Sequence, residues 1–422
     1  MQVLLRARSS CHRRSREQST TEDLQKPGAM KLQRLSSDII SKLPLNTIDK
    51  ILTLMPIRDA VRTSILSRKW RYRWTKIPVL VFDDKLVNGS YRRRQLKRYK
   101  LINSIFLVLL LHKGPILDFS ISIGDRETVN ELDQIILHLS RSNNSKKFNF
   151  KLCLAERFEI YKIPSSFFSL QGLEHLDLTY CAFELPSIFH GFIFLKSLRF
   201  RNVEIAAKML QKLLTRCPLL EKFILIENQE GFTTGGDTCT FIELFECLPS
   251  IQVLKISETY IKHFAAGGMP QTLPTPLIHL RILVFNVCFL EKDELSSVLC
   301  VISSSPNLEK IRMEMSSNDK LSAQETSNNF LDLQDYSGLK LNHLKELEIT
   351  RFSILALEME FLKLIMVIST VLEKARIELN PNVSVDQELN LLRDLVRMSF
   401  PRASPAADVI IERPNKSRSK CK

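Results

Sequence analysis

At 422 residues the chain is long enough for two or three domains and a large buried core. Its charged fraction of 25% and apolar fraction of 44% are those of a soluble globular protein, and its longest apolar run, Ile105 to Leu111, is too short to cross a bilayer. The net charge of +14 raises nucleic-acid binding as a question, but the excess is scattered over both tails, Tyr91 to Lys100 and a segment before residue 80, which argues against a single nucleic-acid surface. The nine cysteines form no C-x-x-C pair and match neither a disulfide framework nor a zinc module, so reduced thiols in the nucleus or cytoplasm are expected.

Residues 1–35 are rich in Arg and Ser, with no acid before Glu17. An organellar targeting peptide and a nuclear-import patch at Arg13, Arg14 and Arg16 are both conceivable. The favoured expectation is a disordered basic extension, with Met30 as an alternative start.

From Asp38 to Trp74 the apolar positions change character. Leu43 and Pro44 precede a helical face of Ile48, Ile51, Leu52 and Leu54, and Pro56 breaks that helix. Ile57, Ala60, Val61, Ile65 and Leu66 follow. Ser67 then caps a third short helix with Trp70 and Trp74 on one face. Three helices in so few residues cannot bury all these groups among themselves, so the stretch is expected to dock onto a partner.

The order Leu-Pro, Ile-Leu, Pro and Ser-x-x-Trp-x-x-x-Trp resembles the F-box, and Asp59 to Ser67 with Lys69, Trp70 and Arg71 is similar to the F-box of plant F-box/FBD/leucine-rich-repeat proteins. The resemblance implies an F-box over residues 36–82 that binds a Skp-like adaptor and, through it, a cullin. It assigns Leu43, Pro44, Ile48, Ile51, Leu52, Pro56, Val61, Leu66, Trp70 and Trp74 to the adaptor. The cations Arg58, Arg62, Arg68, Lys69, Arg71, Arg73 and Lys76 suit the acidic adaptor that the resemblance implies.

After a linker over 83–95, the chain alternates between periods. ILDFSISIG and FNFKLCLA read as strands, while Arg93 to Leu111 and VNELDQIILHLS read as helices, an order that makes a parallel sheet. From Leu173 an apolar-x-x-apolar-x-apolar pattern recurs eight times. Its copies begin at Leu173, Leu195, Leu220, Ile251, Leu280, Leu308, Leu344 and Leu372, a spacing around and beyond that of leucine-rich repeats. Cys181, Asn228, Cys288 and Asn380 stand where such repeats favour Asn or Cys. Val203, Thr259, Ser316 and Phe352 depart from that rule.

The fold class expected is therefore α/β. A three-helix F-box precedes a degenerate leucine-rich-repeat solenoid over 96–338, with the parallel sheet on its concave face and helices outside. Residues 339–411 resemble the FBD segment that closes this protein group, and 412–422 form a basic tail.

Period two aims the residues between the fixed apolar positions at the concave face. Arg199, Arg201, Ile224, Ile226, Val253, Lys255, Ile282, Val284 and Arg312 are the substrate-binding residues expected there. Ile224, Ile226, Val253, Ile282 and Val284 form an apolar patch, unless Gly231 to Cys239 or His263 to Pro276 folds over it.

No catalytic motif is present: there is no G-x-S-x-G, H-E-x-x-H, phosphate loop or G-x-G-x-x-G. The eight histidines are scattered, so neither metal nor cofactor is expected. The reading reached is a non-catalytic substrate receptor of a Skp–cullin–F-box ubiquitin ligase with an unknown protein target. The alternative is a basic nucleic-acid-binding or scaffold protein.

Overall fold

The computed structural model describes residues 39–83, 94–123, 129–142, 144–152, 160–227, 240–265, 270–287, 292–315, 336, 338–396, 404 and 407–414. The basic N-terminal extension, Tyr91 to Arg93 and the tail from Asn415 lie outside these residues. The chain divides into two compact units, Met1–Ser145 and Lys146–Lys422.

The first unit opens with three helices, α1 (Ile39–Lys42), α2 (Leu45–Thr53) and α3 (Ile57–Arg62). Proline sets two of these starts. Pro44 (φ −59°) and Pro56 (φ −55°) sit at the N-caps, where the missing N–H costs nothing. The third helix expected around the tryptophans does not form as one. Residues 68–72 run through turns, Tyr72 adopts a left-handed φ of 61°, and only Arg73–Lys76 closes as a 3-10 turn. That left-handed residue costs on the order of 1 kcal/mol, and a core contact and two hydrogen bonds hold it. Trp74 is buried, Trp70 donates its indole N–H to the Ile40 carbonyl at 3.2 Å, and Arg73 Nε donates to Asp49 Oδ1 at 3.0 Å.

Strand β1 (Val79–Phe82) pairs in parallel with β2 (Asp118–Ile123), and α4 (Arg94–Leu111) lies between them in sequence. The repeating strand–helix pattern therefore begins inside the segment assigned from sequence to the end of the F-box. Helix α5 (Val129–Ser142) completes this unit.

The second unit is a run of parallel strands in chain order: β3 (Lys147–Leu152), β4 (His175–Ala182), β5 (Ser197–Glu204), β6 (Lys222–Ile226), β7 (Val253–Ile256), β8 (Ile282–Val287), β9 (Lys310–Met315), β10 (Glu346–Phe352), β11 (Lys374–Leu379) and β12 (Asp408–Glu412). Helices α6 (Ala207–Thr215), α7 (Phe241–Glu246), α8 (Glu258–Ala265), α9 (Lys292–Ser303), α10 (Ala356–Ile368) and α11 (Val385–Val396) fall between strands. The FBD-like segment continues this pitch through β10, β11 and β12.

The eight sequence copies stand in one register. Leu176, Leu198, Phe223, Leu254, Leu283, Ile311, Leu347 and Ala375 pair strand by strand, as do Leu178, Phe200, Leu225, Ile256, Phe285, Met313, Ile349 and Ile377. Both rows are buried. At the N-terminal end of this core sits a cluster of rings: Phe167 meets Phe148 at 5.1 Å and Phe192 at 5.9 Å, and Phe168 meets Phe183 at 5.2 Å. Tilted and edge-on contacts of this kind add to the area that the rings bury.

One pattern was not anticipated. The residues just ahead of the strands are linked by backbone hydrogen bonds in the order Lys146, Glu174, Lys196, Glu221, Gln252, Arg281, Glu309, Lys345 and Glu373. Their charges alternate in sign, broken only at Gln252. Lys146 meets Glu174 at 2.8 Å, and Arg281 meets Glu309 at 2.6 Å. The Lys146 hydrogen bond is the main influence holding the Glu174 carboxyl below its ordinary range, against desolvation and with help from the charges of Lys146 and Lys196.

At the position where such repeats favour Asn or Cys, Asn380 Oδ1 accepts the Asn382 N–H at 3.0 Å. Cys181 is fully buried, and desolvation drives its thiol well above the usual range. Asn228 and Cys288 lie outside the described residues.

Candidate docking surfaces

The ten adaptor-facing residues expected in the first unit split into two groups. Ile48, Leu52, Trp70 and Trp74 are core, from 0 to 3% exposed. They are corrected here from docking residues to supporting ones, because a partner cannot reach them. Leu43, Ile51 and Val61 are half-buried, and Pro44, Pro56 and Leu66 are exposed.

The larger uncovered groups lie at the helix ends. Leu54 is 87% exposed and Ile65 73%, and Ile40, Leu45 and Leu66 are about half exposed. Sequence reasoning grouped Leu54 and Ile65 with the helical faces but gave them no docking role. Leu54 is the C-cap of α2, and Ile65 ends the 3-10 turn Thr63–Ile65 that follows α3. Arg68, Lys69 and Arg71, which follow Leu66 closely in sequence, are exposed as well, and Arg62 pairs with Asp59 at 3.3 Å. Scattered apolar residues need no explanation on a soluble surface. A short segment that leaves five large ones outside its own core is different, since it gains contact area only from a partner.

In the second unit the expected alternation holds along the open face of the sheet. One row runs Lys222, Val253, Ile282, Lys310 and Glu346, and the next Asp177, Arg199, Ile224, Lys255, Val284, Arg312, Glu348 and Arg376. Arg201 and Ile226 pair in a third. Register thus brings onto one face all nine residues expected from the sequence to bind a substrate. Ile224 and Ile226 are nevertheless buried, at 7% and 8% exposure, while Val253, Ile282 and Val284 are half-buried. Lys255 stands between Ile224 and Val284 and divides the apolar patch.

Of the two stretches that could cover this patch, Gly231 to Cys239 lies outside the described residues. In the other, Leu273 N–H donates to Ser304 Oγ at 2.7 Å, which ties that residue beside the end of α9.

Ion pairs flank the apolar centre. Arg199 meets Asp177 at 3.3 Å on one side. On the other, Lys310 pairs with Glu346, Arg312 with Glu348 at 2.6 Å and Arg376 with Glu412. Burial raises the Asp177 carboxyl, and the nearby guanidiniums of Arg199 and Arg201 oppose that rise. The Lys310 hydrogen bond holds Glu346 low. Arg199 and Arg312 therefore already have acidic neighbours, and a ligand must compete with those. Among the described residues no group of three or more His, Cys, Asp or Glu could hold a metal ion.

Comparison with known proteins adds a second line of support. The F-box domain family matches residues 40–82, and the family described as FBD-associated F-box protein At5g56370, LRR repeats, matches 139–235. The F-box/FBD/LRR-repeat protein At1g13570 of Arabidopsis thaliana is 31% identical over 419 residues, covering 89% of this chain and 98% of its own length. The putative F-box/FBD/LRR-repeat protein At4g13965 of the same plant is 32% identical over 45% of this chain and 43% of its own. With the repeats in register, an F-box match at the N terminus and a relative aligned from end to end, the chain belongs to the F-box/FBD/LRR-repeat protein family.

Proposed function

We propose that this chain is the substrate-receptor subunit of a Skp–cullin–F-box ubiquitin ligase in a plant. The observation that carries the reading is the F-box match over residues 40–82 on a segment whose Leu45, Leu54, Ile65 and Leu66 lie uncovered. In this reading Leu54, Ile65 and their neighbours grip a Skp-like adaptor, with Arg68, Lys69 and Arg71 steering its acidic surface. The apolar centre of the open sheet face, around Val253, Ile282 and Val284, holds a protein target. The chain makes no covalent bond itself. Its contribution is to raise the effective concentration of target lysines near a ubiquitin-charged enzyme carried elsewhere in the complex.

The nucleus or cytoplasm is the compartment proposed. In keeping with reducing conditions, Cys181, Cys217, Cys247 and Cys300 are free thiols. Affinity capture of the tagged full chain from plant extract tests the whole reading. An adaptor and a cullin in the eluate are expected. Nucleic acid without either protein would instead favour the basic-protein alternative.

A further inference from the structure

Residues 183–194, between β4 and β5, face two ways. Phe183, Phe189 and Phe192 are buried in the ring cluster with Phe167 and Phe168. Ile188, Ile193 and Phe194 point outward, at 75, 50 and 51% exposure. One repeat later Leu219, 47% exposed, holds the position equivalent to Phe194, each lying three residues ahead of the register pair Ser197 and Lys222.

This segment is fixed to the end of α6. Lys212 Nζ donates to the Ser187 carbonyl at 3.4 Å, and the Cys217 thiol bonds to the Phe192 backbone. Gly191 takes a φ of +98°, and a Cβ there would lie 2.5 Å from the Arg216 carbonyl oxygen, so only glycine allows this close approach. The outward apolar groups therefore sit on an anchored platform.

Cations of α6 and its C-cap lie on the same stretch of chain. From Glu184 to Glu221 the acids are Glu184, paired with Lys162 at 2.8 Å, Glu204 and Glu221, while Lys196 meets Glu174 at 3.8 Å and Arg199 meets Asp177 on the sheet face, which leaves Lys208, Lys212 and Arg216 as the cations of this surface. Lys208, Lys212 and Arg216 follow one another at four-residue spacing, a cationic stripe about 12 Å long down one side of α6. Neighbouring α7 brings an exposed Glu246, while its Glu243 is engaged in capping Thr240.

We propose that this surface binds an acidic amphipathic helix of a partner protein. Ile188, Ile193, Phe194 and Leu219 take its apolar side, and Lys212 and Arg216 take its carboxylates. Lys212 reaches the carbonyl of Ser187, next to Ile188, and Gly191 packs on Arg216, so cations and outward apolar groups adjoin, as a ligand helix with apolar anchors and an acidic flank requires. The surface lies outside the open sheet face, so it is separate from the target site proposed above.

The test is peptide display on the purified full chain, followed by fluorescence anisotropy with the selected peptides. Enrichment of acidic residues interleaved with Leu, Ile or Phe at helical spacing is expected. Ile193→Asp with Phe194→Asp should weaken those peptides about tenfold or more, as should Lys212→Glu with Arg216→Glu. Raising salt should weaken them further. Unchanged melting temperatures establish that the variants fold, and Phe194→Ser with Lys212→Gln replaces any pair that does not. Peptides without acidic bias, or binding retained in either double variant, would overturn the proposal. So would variant-sensitive sedimentation with phosphatidylserine vesicles in place of peptide binding, which would assign the surface to a membrane.

Discussion

Trp70 and Leu54 carry similar apolar weight in the sequence and have opposite surroundings in the fold. Truncating a buried tryptophan costs about 3–5 kcal/mol, whereas changing an open surface residue costs within about 0.5 kcal/mol. Trp70→Ala should therefore sharply lower the urea midpoint of the first unit, and Leu54→Asp should leave it almost unmoved. Equal losses would show that Leu54 belongs to a core. Glu358 is the other residue with a measurable signature. Burial pushes its carboxyl up to about 7, against hydrogen bonds from the Leu355, Ser353 and Ile354 backbone. An acid whose folded pKa exceeds its unfolded one binds the extra proton in the folded state, so it favours folding at low pH. That contribution is lost as pH rises through about 7. Unfolding free energies from urea titrations should fall between pH 5 and 8 by an amount of order 1–3 kcal/mol, and Glu358→Gln should flatten the profile. An unchanged slope in the variant would mean that Glu358 stays ionised throughout.

At the scale of elements, strands were more legible than what surrounds them. Each apolar copy announced its strand because residues such as Leu198, Phe200, Leu347 and Ile349 fill one face with period two. Register followed, since a slip of one residue would expose that whole face. The tryptophan segment misled for the same physical reason. A four-residue spacing fits a helix, but the burial of Trp74 and the Asp49 pairing of Arg73 override local propensity, with Tyr72 turning left-handed. The alternating charge row ahead of the strands was visible in the sequence only once the strands were aligned. That row opposes mispairing of repeats, since like charges opposite each other are unfavourable. Glu174→Lys would place three cations in succession and should lower the melting temperature more than Glu184→Lys, whose pair with Lys162 is largely exposed on both sides. Added salt should narrow that difference. Equal effects of the two substitutions would remove any role for the row.

Across the whole molecule, the apolar groups left outside the cores fall into separate sets with different neighbours. Leu54 and Ile65 are exposed in the first unit, in a stretch whose Arg68, Lys69 and Arg71 are exposed too. Val253, Ile282 and Val284 lie between ion-paired flanks on the open sheet face of the second. The F-box set was legible as a family pattern, but which of its residues face outward required the fold. The sheet-face set was legible as a register, but its division by Lys255 and its paired arginines depended on strand neighbours far apart in sequence. The proposed receptor role, with one surface for an adaptor and another for a target, predicts that each can be removed without the other. The direct measurement is quantitative co-purification of the full chain with a Skp-like adaptor and with its captured target. Leu54→Asp with Ile65→Asp should abolish adaptor recovery and spare the target, and Val253→Asp with Val284→Asp should do the reverse. Full adaptor recovery by the folded Leu54→Asp, Ile65→Asp protein would contradict the account.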